Sequence, residues 1–459
     1  MIQEKIFHFP LYAQADPQSS RSIRQIAEAM APREKEFPFL GIRLHPRSPV
    51  PGEASLKRFT DIAADTSAGM VYADYYEQRG EELCPHPLID CQRGSLRDDF
   101  DFGDFLLFNT RAFREAAAEM REDYRFAGLY DLRLRLCRRH PVVHINECLY
   151  TLGAEAEKEE GEAFRYVDPK NREAQREMER ACSEHLRRIG AWLPERRKRV
   201  DLWAYPFGTE ASVIIPVRNR AATIAQAIAS ATGQATRFEF NVLVVDNHST
   251  DGTTDIVRSL AAKDRRILHL RPEARDLGIG GCWNLAVGHP ACGRFAVQLD
   301  SDDVYSHERC LERIVDCFHA RSCALVIGSY RLCNFALESI PPGVIDHREW
   351  TPENGHNNAL RINGLGAPRA FFTPLLRSLG LPNTSYGEDY ATVLRICREY
   401  AVERLYEVLY LCRRWEDNSD ARIEATQTNA HNFYKDRLRT WEIEARIRMN
   451  KPSSDASPQ

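Results

Sequence analysis

Hydrophobic and polar positions follow two alternating patterns from Ala211 onwards. Short apolar runs are typical of buried strands, and they lie at residues 212–215, 242–245, 267–270 and 295–299. Between these runs, apolar residues recur at helical spacing, as in Ile256, Val257 and Leu260. Strands that alternate with helices predict an α/β fold, in which helices flank a mainly parallel central sheet.

A highly charged segment precedes this region, between about 167 and 200. Its apolar residues lie at helical spacing: Met178, Cys182, Leu186 and Ile189. We therefore expect a linking helix. The segment ends in Glu195-Arg196-Arg197-Lys198-Arg199, for which a basic, membrane-facing surface is the alternative interpretation.

The N-terminal third repeats part of the second half at constant offsets. In one block, Leu44, Glu53, Leu56 and Val71 match Leu299, Glu308, Leu311 and Val326. In a second block, Leu134-Arg135 and Leu149-Tyr150 match Leu394-Arg395 and Leu409-Tyr410. The N-terminal copy starts too late to hold counterparts of the strands at 212–215 and 242–245. We therefore predict a truncated duplicate.

Composition narrows the class of protein. The chain has 459 residues, 43% hydrophobic and 28% charged, which is typical of a soluble globular protein with two or three domains. A net charge of −4 gives no reason to expect a nucleic-acid partner. We expect no transmembrane segment and no signal peptide. The thirteen cysteines form no Cys-x-x-Cys pair, which favours a reducing compartment and a cytoplasmic location.

The last apolar run ends in a cluster of acids, Asp300-Ser301-Asp302-Asp303. Because side chains alternate along an extended chain, Asp300 and Asp302 are expected on the same edge of a cleft. Clustered carboxylates repel one another, and a hard cation such as Mg²⁺ or Mn²⁺ would neutralise them and hold a diphosphate. A polar turn that closes the strand is the alternative.

Three segments in order along the chain resemble the nucleotide-binding half of family 2 glycosyltransferases, which have the GT-A fold. These segments are residues 211–220, 245–253 and 299–303. The resemblance covers roughly residues 210 to 415. It implies a UDP-sugar as donor and Mn²⁺ or Mg²⁺ as cofactor. The N-terminal copy is then a partial GT-A-like α/β domain.

The resemblance also implies roles for individual residues around the nucleotide. The first loop, with Pro216, Arg218 and Asn219, would hold the uracil together with Asp246, which would accept its N–H. Asn284 matches the family's asparagine on the helix beside the nucleotide. For Asp246, a turn residue before a helix is the alternative.

The same resemblance implies a site for the diphosphate. Asp300 would contact ribose or the metal, Ser301 would lie beside it, and Asp302 would ligate the cation. Arg413 and Arg414 follow the strand expected at 405–411 and could neutralise the departing diphosphate. A solvated pair of charges is the alternative for these arginines.

Two further segments shape the expected site. Asn363, Gly364 and Gly366 lie where the family binds donor sugar and acceptor, although a simple turn is the alternative. Trp415 stands where the family often has a histidine, which puts a third side-chain ligand of the metal in doubt.

The general base is expected at Glu388-Asp389, where the family has an acidic pair. A carboxylate that removes the proton of a sugar hydroxyl as it attacks C1 would speed an inverting transfer. We assign this role to Asp389, with Glu388 supporting it or binding acceptor. Acids that complement the dipole of a helix are the alternative.

The duplicate argues against purely structural roles for these acids. Gly128-Leu129 stands in the place of Glu388-Asp389, and His45-Pro46-Arg47 stands in the place of the Asp-x-Asp segment. The flanking pattern survives in the copy while the acids do not. We therefore expect the N-terminal copy not to transfer sugar.

The sequence thus predicts a metal-dependent, inverting, hexosyltransferase-type enzyme that uses a UDP-sugar and a glycan or lipid-linked acceptor. It is expected in the cytoplasm, with peripheral association at the inner face of the membrane as an alternative. A nucleotidyltransferase that makes a nucleotide-sugar, or a non-catalytic carbohydrate-binding or scaffold protein, are the alternative functions.

We predict four parts along the chain. They are a truncated non-catalytic domain at 1–160, a charged helical linker at 161–207, a catalytic GT-A domain at 208–430, and a C-terminal helix with a disordered tail at 431–459.

Overall fold

The computed structural model describes residues 6–8, 18–44, 51–153, 169–195, 197–348, 350–351, 354–415 and 425–451. The predictions for His45-Pro46-Arg47 and for the tail from residue 452 onwards lie outside these ranges. Within them, the chain forms two α/β units, each built on its own sheet.

The N-terminal unit contains a five-stranded sheet and a small three-stranded sheet. Its elements are β1 (Ile6–His8), α1 (Ser20–Met30), β2 (Phe39–Arg43), α2 (Glu53–Thr66), β3 (Met70–Ala73), β4 (Tyr75–Arg79), β5 (Glu82–His86), β6 (Phe105–Asn109), α3 (Thr110–Ala118), α4 (Gly128–Leu136), β7 (Val142–Ile145) and β8 (Thr151–Leu152). The larger sheet has the order β1-β2-β6-β3-β7, and the smaller one has the order β5-β4-β8.

A helix, α5 (Arg172–Arg188), links the two units, as the spacing of its apolar residues predicts. The second unit is built from β9 (Ala211–Val217), α6 (Ile224–Thr232), β10 (Phe240–Asp246), α7 (Thr253–Ala261), β11 (Ile267–Leu270), α8 (Ile279–Gly288), β12 (Phe295–Gln298), β13 (Val304–Tyr305), α9 (Cys310–Arg321), β14 (Leu325–Cys333), β15 (Ser339–Ile345), α10 (Gly355–Asn358), β16 (Arg369–Phe372), α11 (Thr373–Leu379), α12 (Glu388–Glu399), β17 (Val402–Arg413) and α13 (Ala425–Asn450).

The sheet of the second unit has the order β11-β10-β9-β12-β16-β14-β17-β13, and β15 pairs with β14. The strands from β11 to β12 run parallel, and β14 runs parallel to β17. β16 lies between these two groups and is antiparallel to both of its neighbours. The predicted α/β fold class is confirmed, although the sequence pattern gave no sign of the antiparallel strand in the middle of the sheet.

The central strands are buried on both faces, as the continuous apolar runs predict. Ile214 and Leu243 pack into one hydrophobic core, together with Trp283 of α8. Val213 and Val242, which alternate with them, pack into a second core on the opposite face. The two hydrophobic cores therefore hold the carboxyl edge of the sheet in place from both faces.

The two larger sheets share one topology. β1, β2, β6, β3 and β7 occupy the same order as β9, β12, β16, β14 and β17, with the same parallel and antiparallel pairings. The expectation that the N-terminal copy holds no counterpart of the strand at 212–215 is wrong, because β1 takes that position. A three-residue strand is too short for a hydrophobic pattern to reveal. Among the described N-terminal residues, no strand lies beyond β1, where β10 and β11 continue the second sheet.

The C-terminal helix α13 begins at Ala425, earlier than the predicted boundary at 431. Within the ranges given above, no helix combines the length and the apolar character needed to cross a membrane.

Candidate active site

A cleft of about 670 Å³ lies at the carboxyl ends of β9 and β12 and at the start of α12. Most of the predicted site residues line it: Pro216, Arg218, Asn219, Asp300, Ser301, Asp302, Glu388, Asp389 and Arg414. The other predicted residues lie outside the lining of this cleft in the described part of the chain: Asp246, Asn284, Asn363, Gly364, Gly366 and Arg413.

The acid cluster is held by neighbours from two strands, β12 and β17. Gln298 at the end of β12 donates from Nε2 to both carboxylate oxygens of Asp300, at 3.1 and 3.0 Å. The backbone N–H of Asp300 donates to the hydroxyl of Tyr410 at 2.9 Å. Asp303 is buried and accepts from the backbone N–H of Arg413 at 2.7 Å. Strand β17 thus fixes the turn that carries the acids.

The carboxylates of this cluster disfavour one another's charge. Burial raises the pKa of Asp300 and the repulsion of Asp302 adds to it, although Arg369 and Gln298 act in the opposite sense. Burial, and after it the charges of Asp300 and Asp302, raise the pKa of Asp303 well above its usual range. A bound cation would relieve this repulsion.

The donor set fits a magnesium-type cation that binds mainly through its substrate. In the described residues, no three His, Cys, Asp or Glu side chains converge as a complete metal cage. Asp300, Asp302 and Asp303 all line the cleft, and Asp303 also accepts a hydrogen bond from the backbone N–H of Arg413. Asp300 and Asp302 are the carboxylates that would hold a cation. Mg²⁺ is typically held by one or two carboxylates, with phosphate and water oxygens completing its shell.

Aromatic and basic side chains border this end of the cleft. The indole N–H of Trp415 lies 3.4 Å from the Oδ2 atom of Asp302, so Trp415 contacts the acid as a donor at the position where the family often has a histidine. Arg413 lies outside the cleft lining, and its guanidinium bonds the backbone oxygen of Asp302 and the side chain of Gln226. Arg413 therefore supports the turn, and Arg414 lies in the wall of the cleft.

The expected base lies in an ion pair. Arg369 Nη1 is 2.9 Å from Asp389 Oδ2. Burial favours a raised pKa for Asp389, but the charges of Arg369 and then Lys435 outweigh it and hold that pKa below its usual range. Asp389 is therefore ionised and fixed in orientation.

The pKa of Glu388, the residue next to Asp389, is shifted in the opposite direction. Burial, and after it the charge of Asp389, raises the pKa of Glu388 to about 8. Its Oε2 atom is buried and has no hydrogen-bond partner among the described residues. Two adjacent carboxyl groups whose pKa values are driven apart are typical of a division between acid and base roles.

Asp246 lies outside the lining of the cleft. Its side chain is fully buried and accepts from the backbone N–H of Ser249 at 3.0 Å and from the hydroxyl of Thr254. These hydrogen bonds, which outweigh the effect of burial, lower the pKa of Asp246. The implied contact of Asp246 with uracil therefore finds no support in its position, because its oxygens bind Ser249 in the loop before α7 and Thr254 in α7 itself.

The next residue, Asn247, does line the cleft. Its Nδ2 donates to the backbone oxygen of Leu277 at 2.8 Å, which fixes the orientation of the amide. Its Oδ1 is buried and has no hydrogen-bond partner within the described ranges. A buried acceptor with a fixed direction, without a partner among the described residues, thus belongs to a residue of the wall.

Other implied contacts also serve the fold. The amide of Asn284 bonds both backbone groups of Leu381, at 2.8 and 2.9 Å. The backbone oxygen of Asn363 accepts from Lys435 Nζ at 2.6 Å. The backbone N–H of Gly366, where φ is +62°, donates to His347 Nε2 at 3.0 Å. These residues position the walls of the cleft from behind.

Sequence reasoning missed several lining residues. Among them are Arg220, Asn247, Trp283, Gln298, Arg369 and Ser385. Asn247 lies within the segment 245–253 that the sequence singled out, and Arg369 lies shortly after Gly366, but their roles depend on partners distant in the chain.

Part of the chain matches a known protein family. Residues 212–372 match the family model described as Glycosyl transferase family 2. This part of the chain is therefore similar to family 2 glycosyltransferases, which confirms the predicted resemblance and, for this part, the predicted GT-A fold class and glycosyltransferase class.

Individual proteins are similar over parts of their length. An uncharacterized glycosyltransferase of Rickettsia felis is 35% identical over 101 residues, which cover 22% of this chain and 16% of that protein. The putative teichuronic acid biosynthesis glycosyltransferase TuaG of Bacillus subtilis is 28% identical over 190 residues, which cover 41% of this chain and 72% of TuaG. The crystal structure of S. aureus TarS 1-349 in complex with UDP-GlcNAc has 22% sequence identity and a TM-score of 0.40, over 52% of this chain and 72% of that chain.

Proposed function

We propose that the protein transfers a sugar from a UDP-sugar to a hydroxyl group of a glycan or lipid-linked acceptor, with a divalent cation and with inversion at C1. The observation that carries the proposal is that two carboxylate pairs line one cleft of a glycosyltransferase domain. Asp300 and Asp302 form one pair and Glu388 and Asp389 form the other. One pair suits a metal diphosphate and the other suits proton transfer.

In the proposed reaction, Asp389 takes the proton of the acceptor hydroxyl as its oxygen attacks C1 of the donor sugar. The new C1–O bond forms while the bond from C1 to the diphosphate oxygen breaks, and the electron pair leaves with UDP. Arg369 holds Asp389 ionised and oriented at 2.9 Å, so no reorganisation is needed before the proton moves. Glu388, whose pKa is about 8, is protonated near neutral pH and can donate a hydrogen bond to acceptor or donor oxygens.

The leaving diphosphate gains negative charge as the bond breaks. A divalent cation held by Asp300 and Asp302 would supply compensating charge when bound. Arg220 and Arg414 lie in the same wall and add positive charge from the protein itself.

We propose that Asn247, and not Asp246, meets the uracil. The N3–H of uracil is a donor, and Asn247 Oδ1 is a buried acceptor with its direction fixed by the bond to Leu277. Asp246 would then act indirectly, by shaping the loop that carries Asn247.

A polymeric or lipid-linked acceptor is supported by the similarity to TuaG, which is named for teichuronic acid biosynthesis. All thirteen cysteines are free thiols, which supports a reducing compartment such as the cytoplasm. The basic run after α5 is engaged within the chain, since Lys198 pairs with Glu399 at 2.8 Å and Arg199 bonds the backbone of Arg321. We therefore propose a cytoplasmic enzyme that does not use this run to bind membranes.

The assignment is tested by the release of UDP from a UDP-sugar by the purified chain with Mn²⁺. Asp302→Asn and Asp389→Asn should each lower turnover at least a hundredfold, which is a change of about 2.7 kcal/mol in the barrier. Asp255→Asn is the control, because Asp255 is exposed on α7 and pairs only with Arg258 among the ion pairs of the described chain. Near wild-type turnover in either site variant would show that the assigned roles are wrong.

A further inference from the structure

A loop of the N-terminal unit, residues 92–99, contacts the C-terminal helix α13. Gln92 Nε2 donates to the backbone oxygen of Phe433 at 3.1 Å, and the backbone N–H of Gly94 donates to Thr440 Oγ1 at 2.9 Å. A Cβ atom at Gly94 would lie 2.3 Å from backbone atoms of both Asp436 and Thr440. The loop and the helix thus meet backbone to backbone, in a contact that only glycine permits.

The same loop reaches the segment at 361–366, where the acceptor side of the cleft was predicted. Asp98 forms an ion pair with Arg361, whose side chain is fully buried. Asp99 Oδ2 accepts from Asn363 Nδ2 at 3.3 Å. The loop therefore touches both the helix and the segment behind the cleft.

Helix α13 connects the loop to the residues beside the proposed base, Asp389. Asp436 accepts from Ser95 Oγ of the loop and from Arg439 Nη1, each at 2.8 Å. Arg439 donates to the hydroxyl of Tyr390 at 2.9 Å and to Asn363 Oδ1 at 2.8 Å. Asp436 and Arg439 are fully buried, so these bonds are shielded from water.

Lys435, on the turn of α13 beside them, adds a charge. Its ammonium donates to the backbone oxygen of Asn363 at 2.6 Å and lies 4.4 Å from the ring centre of Tyr386. It is also one of the two cations that favour the ionised form of Asp389. The position of α13 therefore determines both the shape and the charge around the base.

We propose that the N-terminal unit is a brace for the active site: its loop 92–99 fixes α13, and α13 fixes the segment at 361–366 and the Glu388-Asp389 turn. This proposal rests on the proposed function only in calling that side of the cleft the acceptor and base side. A bracing role does not require the acidic residues that the N-terminal copy lacks. Asp436, Arg439 and Lys435 are then positioning residues.

The test is Gly94→Ala in the full-length chain, with Gly52→Ala as the matched control. Gly52 belongs to the same unit, and a Cβ there meets nothing within 4 Å. By hydrogen exchange, we expect amides of 361–366 and 386–390 to exchange at least tenfold faster in Gly94→Ala, and amides of β9 to be unchanged. We also expect UDP affinity with Mn²⁺ to stay within twofold, while turnover of a UDP-sugar to UDP falls at least tenfold.

The brace is refuted if Gly94→Ala matches Gly52→Ala in exchange and in turnover. It is also refuted if UDP affinity falls as much as turnover, since the effect would then be a general loss of structure. If Gly94→Ala does not fold, Asp98→Asn removes the charge opposite Arg361 without a steric clash, and the same outcomes apply. A wild-type protein that releases no UDP would overturn the proposed function, whereas the exchange data would still decide on the brace.

Discussion

Replacing Arg369 with methionine would remove the cation that faces the base, while keeping a side chain of similar length. Arg369 Nη1 lies 2.9 Å from Asp389 Oδ2, and both side chains are mostly shielded from solvent, with exposures of 15% and 27%. The variant leaves Lys435 as a second cation that favours the ionised form of Asp389. The pKa of Asp389 should therefore rise.

The size of this rise follows from the geometry. An arginine in contact with an aspartate typically lowers its pKa by about 1–3 units, which corresponds to roughly 1.4–4 kcal/mol. Coulomb's law gives a similar upper limit, about 4 kcal/mol for charges 4 Å apart at an effective dielectric constant of 20. Because Asp389 must be ionised to accept a proton, the acid limb of turnover should move to higher pH by roughly 1–3 units.

The assay is the pH dependence of turnover for UDP release at saturating donor and metal, between about pH 4 and 8, where carboxylates and histidines titrate. Arg377→Met is the control, because Arg377 bonds the backbone of Val287 and His289 and does not line the cleft. Arg369→Lys, which keeps the charge, should restore most of the wild-type profile. An acid limb that stays in place in Arg369→Met, or moves to lower pH, would refute the pairing of Arg369 with the catalytic base.

Two further predictions concern nucleotide recognition and stability. Asn247→Leu should weaken UDP binding at least tenfold in calorimetry, since an unpaired uracil N–H costs about 1–3 kcal/mol; unchanged affinity would exclude the proposed contact. His144 pairs with Asp74 at 2.8 Å and Asp90 at 3.0 Å, and these bonds, although opposed by burial, raise its pKa. The pairing stabilises the fold fully below the unfolded pKa of about 6.5 and loses this effect as pH rises through the folded pKa. In thermal melts, His144→Gln should therefore lose most stability relative to wild type at low pH, and a deficit that grows with pH would contradict the assignment.

The strands that end at the candidate site residues could be predicted from the sequence, because a buried strand appears as a continuous apolar run. The run before Asp300 and the helical spacing after Asp389 both located acids that the structure brings to one cleft. The internal duplication was also visible, since both copies keep the apolar positions that pack their sheets.

The side-chain directions and contacts that define the site could not be predicted from the sequence, because they depend on neighbours distant in the chain. At the end of β10, Asp246 points into the fold while Asn247 reaches the cleft, because successive side chains take opposite directions. A motif alone could not tell which of the two is exposed to a ligand. The pairing of Arg369 with Asp389, and the contact of loop 92–99 with α13, join segments that no local pattern connects.

The decisive experiment for the proposed sugar transfer is to incubate the wild-type chain with a panel of UDP-sugars and to measure the UDP released, with Mn²⁺ and with a chelator. No acceptor is needed, because water can take its place in slow donor hydrolysis. We expect UDP release from at least one donor with Mn²⁺, and its loss when the metal is removed. No release from any donor, or formation of pyrophosphate from UTP and a sugar phosphate instead, would contradict it.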